Sequence, residues 1–186
     1  VSQWPLARIL NGEDLRDWEL RIRRVNDAWE RVFSYGGTLV RDPQGQPLLA
    51  LVTVNDISER KRAEEALLVK DRAVRSATSG ITFIGLDGRL TFANPSFLSM
   101  WAFAQEDEVL HRHFTFFLSA PQAGRAAFRA AVETGAWSGE LLARRSDGSE
   151  FVVQVSAGLV RDKQGRPLCL MASLVDVTET RRLHEI

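Results

Sequence analysis

Residues 39–62 of the chain read LVRDPQGQPLLALVTVNDISERKR, and residues 159–182 read LVRDKQGRPLCLMASLVDVTETRR. The two stretches align without a gap and are identical at 11 of 24 positions, and most other positions exchange similar residues. Self-similarity of this kind indicates two copies of one structural unit. Only 57 residues lead to the end of the first copy, whereas the second has room for a full domain. We therefore expect a truncated first domain at 1–57 and a complete domain at 79–178.

Composition narrows the classes of function. The chain has 186 residues, and its 24 Lys and Arg balance its 24 Asp and Glu. Because the chain has no net positive charge, we do not predict binding to nucleic acid or to an anionic membrane. The single cysteine, Cys169, excludes an internal disulfide. No signal peptide or long apolar run is visible, so we expect a cytoplasmic fragment whose parent protein could still be anchored in a membrane.

The complete copy has a clear order of predicted elements. Apolar and polar residues alternate over 81–92 on both sides of Asp87-Gly88, which predicts a β-hairpin. Asn94-Pro95 is a typical helix start, short helical turns follow over 105–119, and residues 121–133 form an amphipathic helix that stops at Gly135. Three more strands are predicted at 137–145, 150–160 and 168–175.

This order predicts an α+β fold, a five-stranded antiparallel sheet with helices on one face. In the truncated copy, the same reading predicts a helix at 5–10 and three strands at 18–24, 30–40 and 48–55. A helical linker at 58–78 separates the copies, and a connector helix begins at 179–186.

The linker carries a narrow apolar seam at helical spacing, interrupted by one lysine: Ala63, Leu67, Lys70, Val74 and Ala77. This pattern fits a short parallel coiled coil, so we expect a homodimer through the linker helices. The alternative is a single helix that packs against its own domain.

Several short motifs of the complete copy resemble the PAS family of sensory domains. They are Gly80-Ile81, Asp87-Gly88, Asn94-Pro95-Ser-Phe97, Trp137-Ser-Gly-Glu140, Arg145-Ser-Asp-Gly148 and Asp176-Val-Thr-Glu179. The resemblance implies that the closing Asp-x-Ser/Thr joins the last strand to a helical connector. It therefore suggests signal-relay roles for Asp56 and Ser58 in the first copy and for Asp176 and Thr178 in the second. The alternative is that Ser58 and Thr178 only cap helices.

PAS domains commonly hold a ligand between the sheet and the helices. On that resemblance, the candidate pocket residues are the apolar side chains expected to face this space, although burial in the core explains them equally well. These candidates are Phe92, Phe97, Trp101, Phe117, Phe128, Trp137, Leu141 and Val153.

Cofactor signatures are weak. Cysteinyl-flavin chemistry in this family needs a cysteine after the first helix, but residues 108–114 contain none and Cys169 lies on the last predicted strand. Haem would need a histidine on the helix at 121–133, which has none. Trp137 with Gly139-Glu140 resembles redox-sensing members and leaves noncovalent flavin open, but the favoured reading is no cofactor. His111 and His113 lack the further ligands of a metal site.

No catalytic constellation is visible, so no catalytic residue is predicted for this chain. His184 resembles the phosphoacceptor of histidine kinases, but it follows Asp176 too closely and is read as a linker residue. The resemblance suggests the input module of a bacterial sensor histidine kinase that binds a small ligand or a partner. The alternatives are a ligand-free dimerisation and spacing module, or the input of a cyclic-dinucleotide enzyme or a transcriptional regulator.

Overall fold

The computed structural model describes residues 4–26 and 28–180, and the chain divides into two compact units between Val69 and Lys70. The first unit begins with helix α1 (Pro5–Leu10) and continues with strands β1 (Leu15–Arg23), β2 (Glu30–Arg41) and β3 (Pro47–Asp56). Helix α2 (Ser58–Ser76) follows and ends in the second unit.

The three strands of the first unit form an antiparallel sheet in the order β1-β2-β3. Strand β1 begins at Leu15, three residues before the predicted start, because a bulge between Leu15 and Trp18 lets pairing with β2 continue. Asp17 lies inside this bulge with φ 48°, a left-handed conformation that interrupts the alternation of side chains. The interrupted alternation explains the late start predicted from sequence.

The second unit contains strands β4 (Gly80–Gly85) and β5 (Leu90–Ala93), then helix α3 (Pro95–Trp101). Two 3-10 turns at Glu106–Glu108 and Phe114–Phe117 lead to helix α4 (Pro121–Thr134), which is followed by strands β6 (Ala136–Arg144), β7 (Glu150–Arg161) and β8 (Pro167–Asp176). The strands pair antiparallel in the order β5-β4-β8-β7-β6. The predicted α+β fold with a five-stranded antiparallel sheet is confirmed.

An aromatic cluster fills the space between the sheet and the helices of the second unit. Trp101, which is 1% exposed, stacks on Phe97 at 4.3 Å between ring centroids. Phe117 meets Phe97 edge-on at 5.5 Å, and Phe151 of β7 meets Trp101 at 5.1 Å. Edge-to-face and offset contacts of this kind add to the free energy of burying the rings, so the cluster holds α3 against the sheet.

The hairpin β2–β3 has the same pairing register as β7–β8 after a shift of 120 residues. Phe33 pairs with Asp56 as Val153 pairs with Asp176, and both hairpins have an irregularity before the turn. In both turns, an aspartate carboxylate (Asp42 or Asp162) accepts two backbone N–H groups. This agreement supports the prediction of a partial first copy, which remains a prediction together with its boundaries.

Helix α2 is exposed along most of its length, including Leu67 and Val69. Within the parts of the chain that the structure describes, no helix is both long and apolar enough to cross a membrane.

Candidate functional site

The end of β8 forms a compact junction with the helical turn that follows it. Asp176 Oδ1 accepts the N–H of Thr178 at 2.9 Å, and Thr178 Oγ1 accepts the N–H of Val152 at 3.0 Å. The last strand, its neighbour β7 and the start of the next helical turn are therefore joined by two side chains. Thr178 thus contacts the sheet as well as starting the helical turn.

Arg145 connects this junction to the helices. Its guanidinium donates to Asp176 Oδ2 at 2.7 Å and to the carbonyl of Met100 in α3, and it lies 4.0 Å above the ring of Phe151. Ser146 adds two bonds to the end of α3, from its N–H to the carbonyl of Trp101 at 3.0 Å and from its Oγ to that of Ala102 at 2.6 Å. Arg145 and Ser146 bind the carbonyls that a helix end leaves without partners.

The charge of Asp176 is stabilised in the folded state. Partial burial raises the pKa of this carboxyl, but hydrogen bonds from Thr178 and from the Arg145 guanidinium outweigh it, so the pKa lies below its ordinary value. The carboxylate is therefore ionised near neutral pH and keeps its bond to Arg145.

An interior cavity of about 70 Å³ lies between the sheet and the helices of the second unit. Its walls are apolar, and five of the eight predicted pocket residues line it: Phe97, Trp101, Phe117, Leu141 and Val153. The Trp101 ring nitrogen donates to the carbonyl of Phe117 at 3.1 Å, so the polar atom of this wall already has a partner. The cavity can accept a small apolar molecule but offers no free polar group on Trp101.

The other three predicted pocket residues lie outside this cavity. Phe92 packs against Phe83 at 5.2 Å, below the guanidinium of Arg75. Trp137 packs against the edge of the core, next to Gly139. Phe128 lines a different cleft, between α4 and the turn at 86–88. The aromatic character of these residues predicted that they would be at least partly buried, but it did not predict whether they would line the interior cavity.

The cavity also has lining residues that the sequence reading missed. Thr82 and Ile84 of β4, Val155 of β7 and Ala172 and Leu174 of β8 all lie on its walls. Within each strand they occupy alternate positions, which share one face of the sheet. This alternation was visible in the sequence and could have identified them.

Asn94 holds the start of the second unit together. Its Oδ1 accepts the N–H groups of Ile81 at 2.8 Å and Phe97 at 2.9 Å, and its Nδ2 donates to the carbonyls of Val74 and Ser79, both at 3.1 Å. The side chain is fully buried and all four of its bonding positions are used. Asn94 thus begins α3, as predicted, and also binds the last turn of α2.

The first unit has a junction of its own at the start of α2. Ser58 donates its hydroxyl and its N–H to Asp56 Oδ1, at 2.5 and 2.9 Å, and Ser58 Oγ accepts the N–H of Val32 at 2.9 Å. These hydrogen bonds from Ser58 lower the pKa of the Asp56 carboxyl. Among the residues that the structure describes, the cation nearest to Asp56 is Arg31, 3.9 Å from Oδ2.

His113 and Cys169 have structural surroundings. His113 contacts Thr115 Oγ1 through Nδ1 at 2.9 Å. Cys169 lies on β8, and burial raises the pKa of its thiol, which disfavours the reactive thiolate. Across residues 4–26 and 28–180, no group of His, Cys, Asp and Glu could hold a metal ion. His184 lies outside the described residues.

Solved structures share this architecture. The PAS domain of a protein from Colwellia psychrerythraea is 13% identical with a TM-score of 0.56, covering 61% of this chain and 98% of that chain. A light-oxygen-voltage domain whose mechanism was studied with a flavin analogue is 26% identical with a TM-score of 0.52, covering 64% and 90%. A PAS domain from a two-component sensor histidine kinase is 10% identical with a TM-score of 0.54, covering 61% and 98%.

The sequence itself gives a more specific result. Among curated proteins, none matches it significantly. A profile of the PAS domain, however, matches residues 78–179, which is more than half of the chain and spans the whole five-stranded sheet. With this match and the fold described above, the chain belongs to the PAS domain family, whose members are sensory modules and not catalysts.

Proposed function

We propose that this chain is the cytoplasmic input region of a bacterial sensor histidine kinase and that its second unit relays a signal through the Asp176–Thr178 junction. A small ligand or a partner would change the packing around the interior cavity, and the change would reach the connector after β8. The kinase context is supported by similarity of fold alone, to a PAS domain from a two-component sensor histidine kinase.

The observation that carries the proposal is the position of Arg145. Trp101 forms a wall of the interior cavity, and the carbonyls at this end of α3 are held by Arg145, which binds Met100, and by Ser146, which binds Trp101 and Ala102. Arg145 in turn binds Asp176, which binds Thr178. A displacement of α3 therefore acts on the connector through charged and hydrogen-bonded groups. Such a chain of contacts can pass a change between two packings.

The size of the cavity limits the ligand. A volume of about 70 Å³ is well below the several hundred Å³ typical of cofactor sites. Although one similar structure is a light-oxygen-voltage domain, a flavin would require α3 and the 3-10 turns to move away from the sheet. Thr82, the polar side chain on the wall, already donates to the carbonyl of Phe92 at 2.7 Å. The residues present fit a small apolar ligand better than a flavin.

The relay can be tested with three variants of the parent protein. Arg145→Gln and Asp176→Asn should each make autophosphorylation, measured with labelled ATP, insensitive to the input stimulus while the domain still unfolds cooperatively. Arg144→Gln removes the same charge from a neighbouring exposed position and should leave the response unchanged. A response in Arg145→Gln and Asp176→Asn equal to that of Arg144→Gln would contradict the relay. A parent protein without a phosphorylated histidine would contradict only the kinase context.

The absence of catalysis in the chain itself is tested separately. Because no phosphate-binding motif was found in the sequence, the chain incubated with labelled nucleoside triphosphate should remain unlabelled. Labelling at His184 would contradict both this expectation and the reading of His184 as a linker residue.

A second candidate function is a ligand-free module for dimerisation and spacing. The exposed apolar residues of α2, together with the exposed Leu48, Leu49 and Leu51 on β3, favour it. Deleting residues 1–57 should leave the second unit folded and reduce self-association in sedimentation experiments. A full chain that sediments as a monomer would remove this candidate, and the homodimer with it.

A further inference from the structure

The second unit has a larger cleft on its outer side, separate from the interior cavity. This outer cleft is bounded by the turn at 86–88, by His113 and Phe114, and by the face of α4 that carries Arg125, Phe128 and Arg129. Its volume is about 420 Å³, within the range of small-molecule sites. It is six times larger than the interior cavity, so it can accept a ligand that the interior cannot.

Three rings form one wall of the outer cleft. His113 lies 4.6 Å from Phe114 at an angle of 30°, and Phe114 lies 5.0 Å from Phe128 at an angle of 10°. Rings stacked in this way leave their edges and the outer faces of the stack as apolar surface, against which another aromatic ring can pack edge-on or offset. The turn approaches this wall closely because position 88 is a glycine, and a side chain there would collide with the His113 ring.

Two arginines stand beside this wall. Arg125 and Arg129 are one turn apart on α4, both are exposed, and neither guanidinium has an ion pair or hydrogen bond with any residue in the described ranges. A guanidinium binds a carboxylate with two parallel hydrogen bonds. Apolar ring surface beside unpaired guanidinium groups is complementary to a molecule that combines an aromatic ring with a carboxylate.

The carboxylates of the cleft restrict the charge of the ligand. Asp87 accepts the N–H of Arg89 at 3.1 Å and lies 3.8 Å from its guanidinium, so a cation of its own turn balances it. Glu133 lies one turn beyond Arg129 at the end of α4 and is exposed. A ligand with a second negative charge would approach Glu133 and be repelled, so a single negative charge is favoured.

We propose that the outer cleft binds a small aromatic monocarboxylate, with its ring against Phe114 and Phe128 and its carboxylate at Arg125 and Arg129. This site goes beyond the proposed relay and does not depend on it. Phe114 also lines the interior cavity, so the ligand touches a ring that belongs to both spaces.

Titration of the full chain with naphthoate, followed by calorimetry, tests the site. Naphthoate should bind with saturation at one site, about tenfold more tightly than naphthamide, which has the same shape without the charge. The double variant Arg125→Gln/Arg129→Gln should lose this tenfold preference, whereas Arg144→Gln should keep it. Phe128→Leu should weaken both compounds, because the stacking surface is reduced.

Naphthalene dicarboxylate should bind more weakly than naphthoate, and Glu133→Gln should reduce that difference. Circular dichroism establishes that each variant is folded, and the single arginine variants replace the double one if it is not. The proposal is overturned if naphthoate and naphthamide bind equally, if neither binds, or if the arginine variants bind naphthoate as the wild type does.

Discussion

The hairpins β2–β3 and β7–β8 share their register and turns but differ in their surroundings. Strand β8 lies between β4 and β7, and its Leu174 is 6% exposed. Strand β3 is at the edge of its sheet, and Val54, the residue equivalent to Leu174, is 51% exposed. Two similar sequences therefore form the same local structure, while neighbouring elements decide how far each is buried.

The two Asp-x-Ser/Thr junctions differ in the same way. Both bind the N–H two residues after the aspartate and the N–H of the adjacent strand. The cation nearest to Asp56 belongs to its own sheet, whereas that of Asp176 also binds α3. Arg24 occupies the position of Arg145 when β1 and β6 are aligned on Glu19 and Glu140, but its guanidinium lies over Trp29. The conserved geometry of a turn does not by itself connect it to a distant element.

The largest difference should come from truncating the equivalent positions on β8 and β3. Leu174→Ala removes buried atoms beside the cavity and should reduce the free energy of unfolding of the second unit by about 2–4 kcal/mol. Val54→Ala should change that of the first unit by less than about 0.5 kcal/mol, because the side chain is exposed. Hydrogen exchange of the strand amides measures each unit separately. Equal effects would mean that β3 is covered in solution.

A smaller effect is expected from the ion pair of the second junction. Arg145→Gln and Asp176→Asn should each destabilise the second unit by about 1–2 kcal/mol, discounted for the partial exposure of both groups. The double variant should cost less than the sum, because the two residues share one bond. The matched pair Arg31→Gln and Asp56→Asn should show additive effects on the first unit. Additivity in the Arg145 and Asp176 cycle would remove the distinction between the junctions.

The hydroxyl groups of the junctions should instead have similar effects. Thr178→Ala and Ser58→Ala each leave the N–H of Val152 or Val32 without its partner, and each should cost about 1 kcal/mol. Faster exchange of these two amides in the respective variants is the measurement. A large cost in one junction and none in the other would show that the shared geometry is energetically different in the two units.

The smallest effect concerns acid. Because folding lowers the pKa of Asp176, its network contributes stability above the unfolded pKa of about 4, and this contribution is lost as the pH falls through the lower folded value. Unfolding of the wild-type second unit should therefore become easier below about pH 4, whereas Asp176→Asn should lack this part of the slope. The free energy of unfolding should be measured for both proteins between pH 2 and pH 5, which is about one to two units on either side of the ordinary carboxyl pKa. If the wild type and Asp176→Asn gave parallel curves over this range, the expectation would be wrong.

The sequence predicted those features that depend on neighbouring residues in the chain. Asn94-Pro95 and Gly135 marked helix ends correctly because capping is a local property. The positions of Phe128 and Trp137 could not be predicted, because a half-buried ring can pack either inside the cavity or outside it. The partners of Arg145 were equally out of reach, because Met100 and Asp176 are 45 and 31 residues away. The motif containing Arg145 was recognised, but its contacts depend on packing.

Asn94 also determines how the last turn of α2 can move. Its amide nitrogen binds Val74 and Ser79 while its oxygen binds Ile81 and Phe97, so a rotation of the helix by even a fraction of a turn separates donor from acceptor. A fully buried amide that loses one of its partners is unfavourable. The bond from Asn94 to the Val74 carbonyl therefore fixes the rotation of α2 about its own axis at residue 74, and any signal that turned this helix would first have to break that bond.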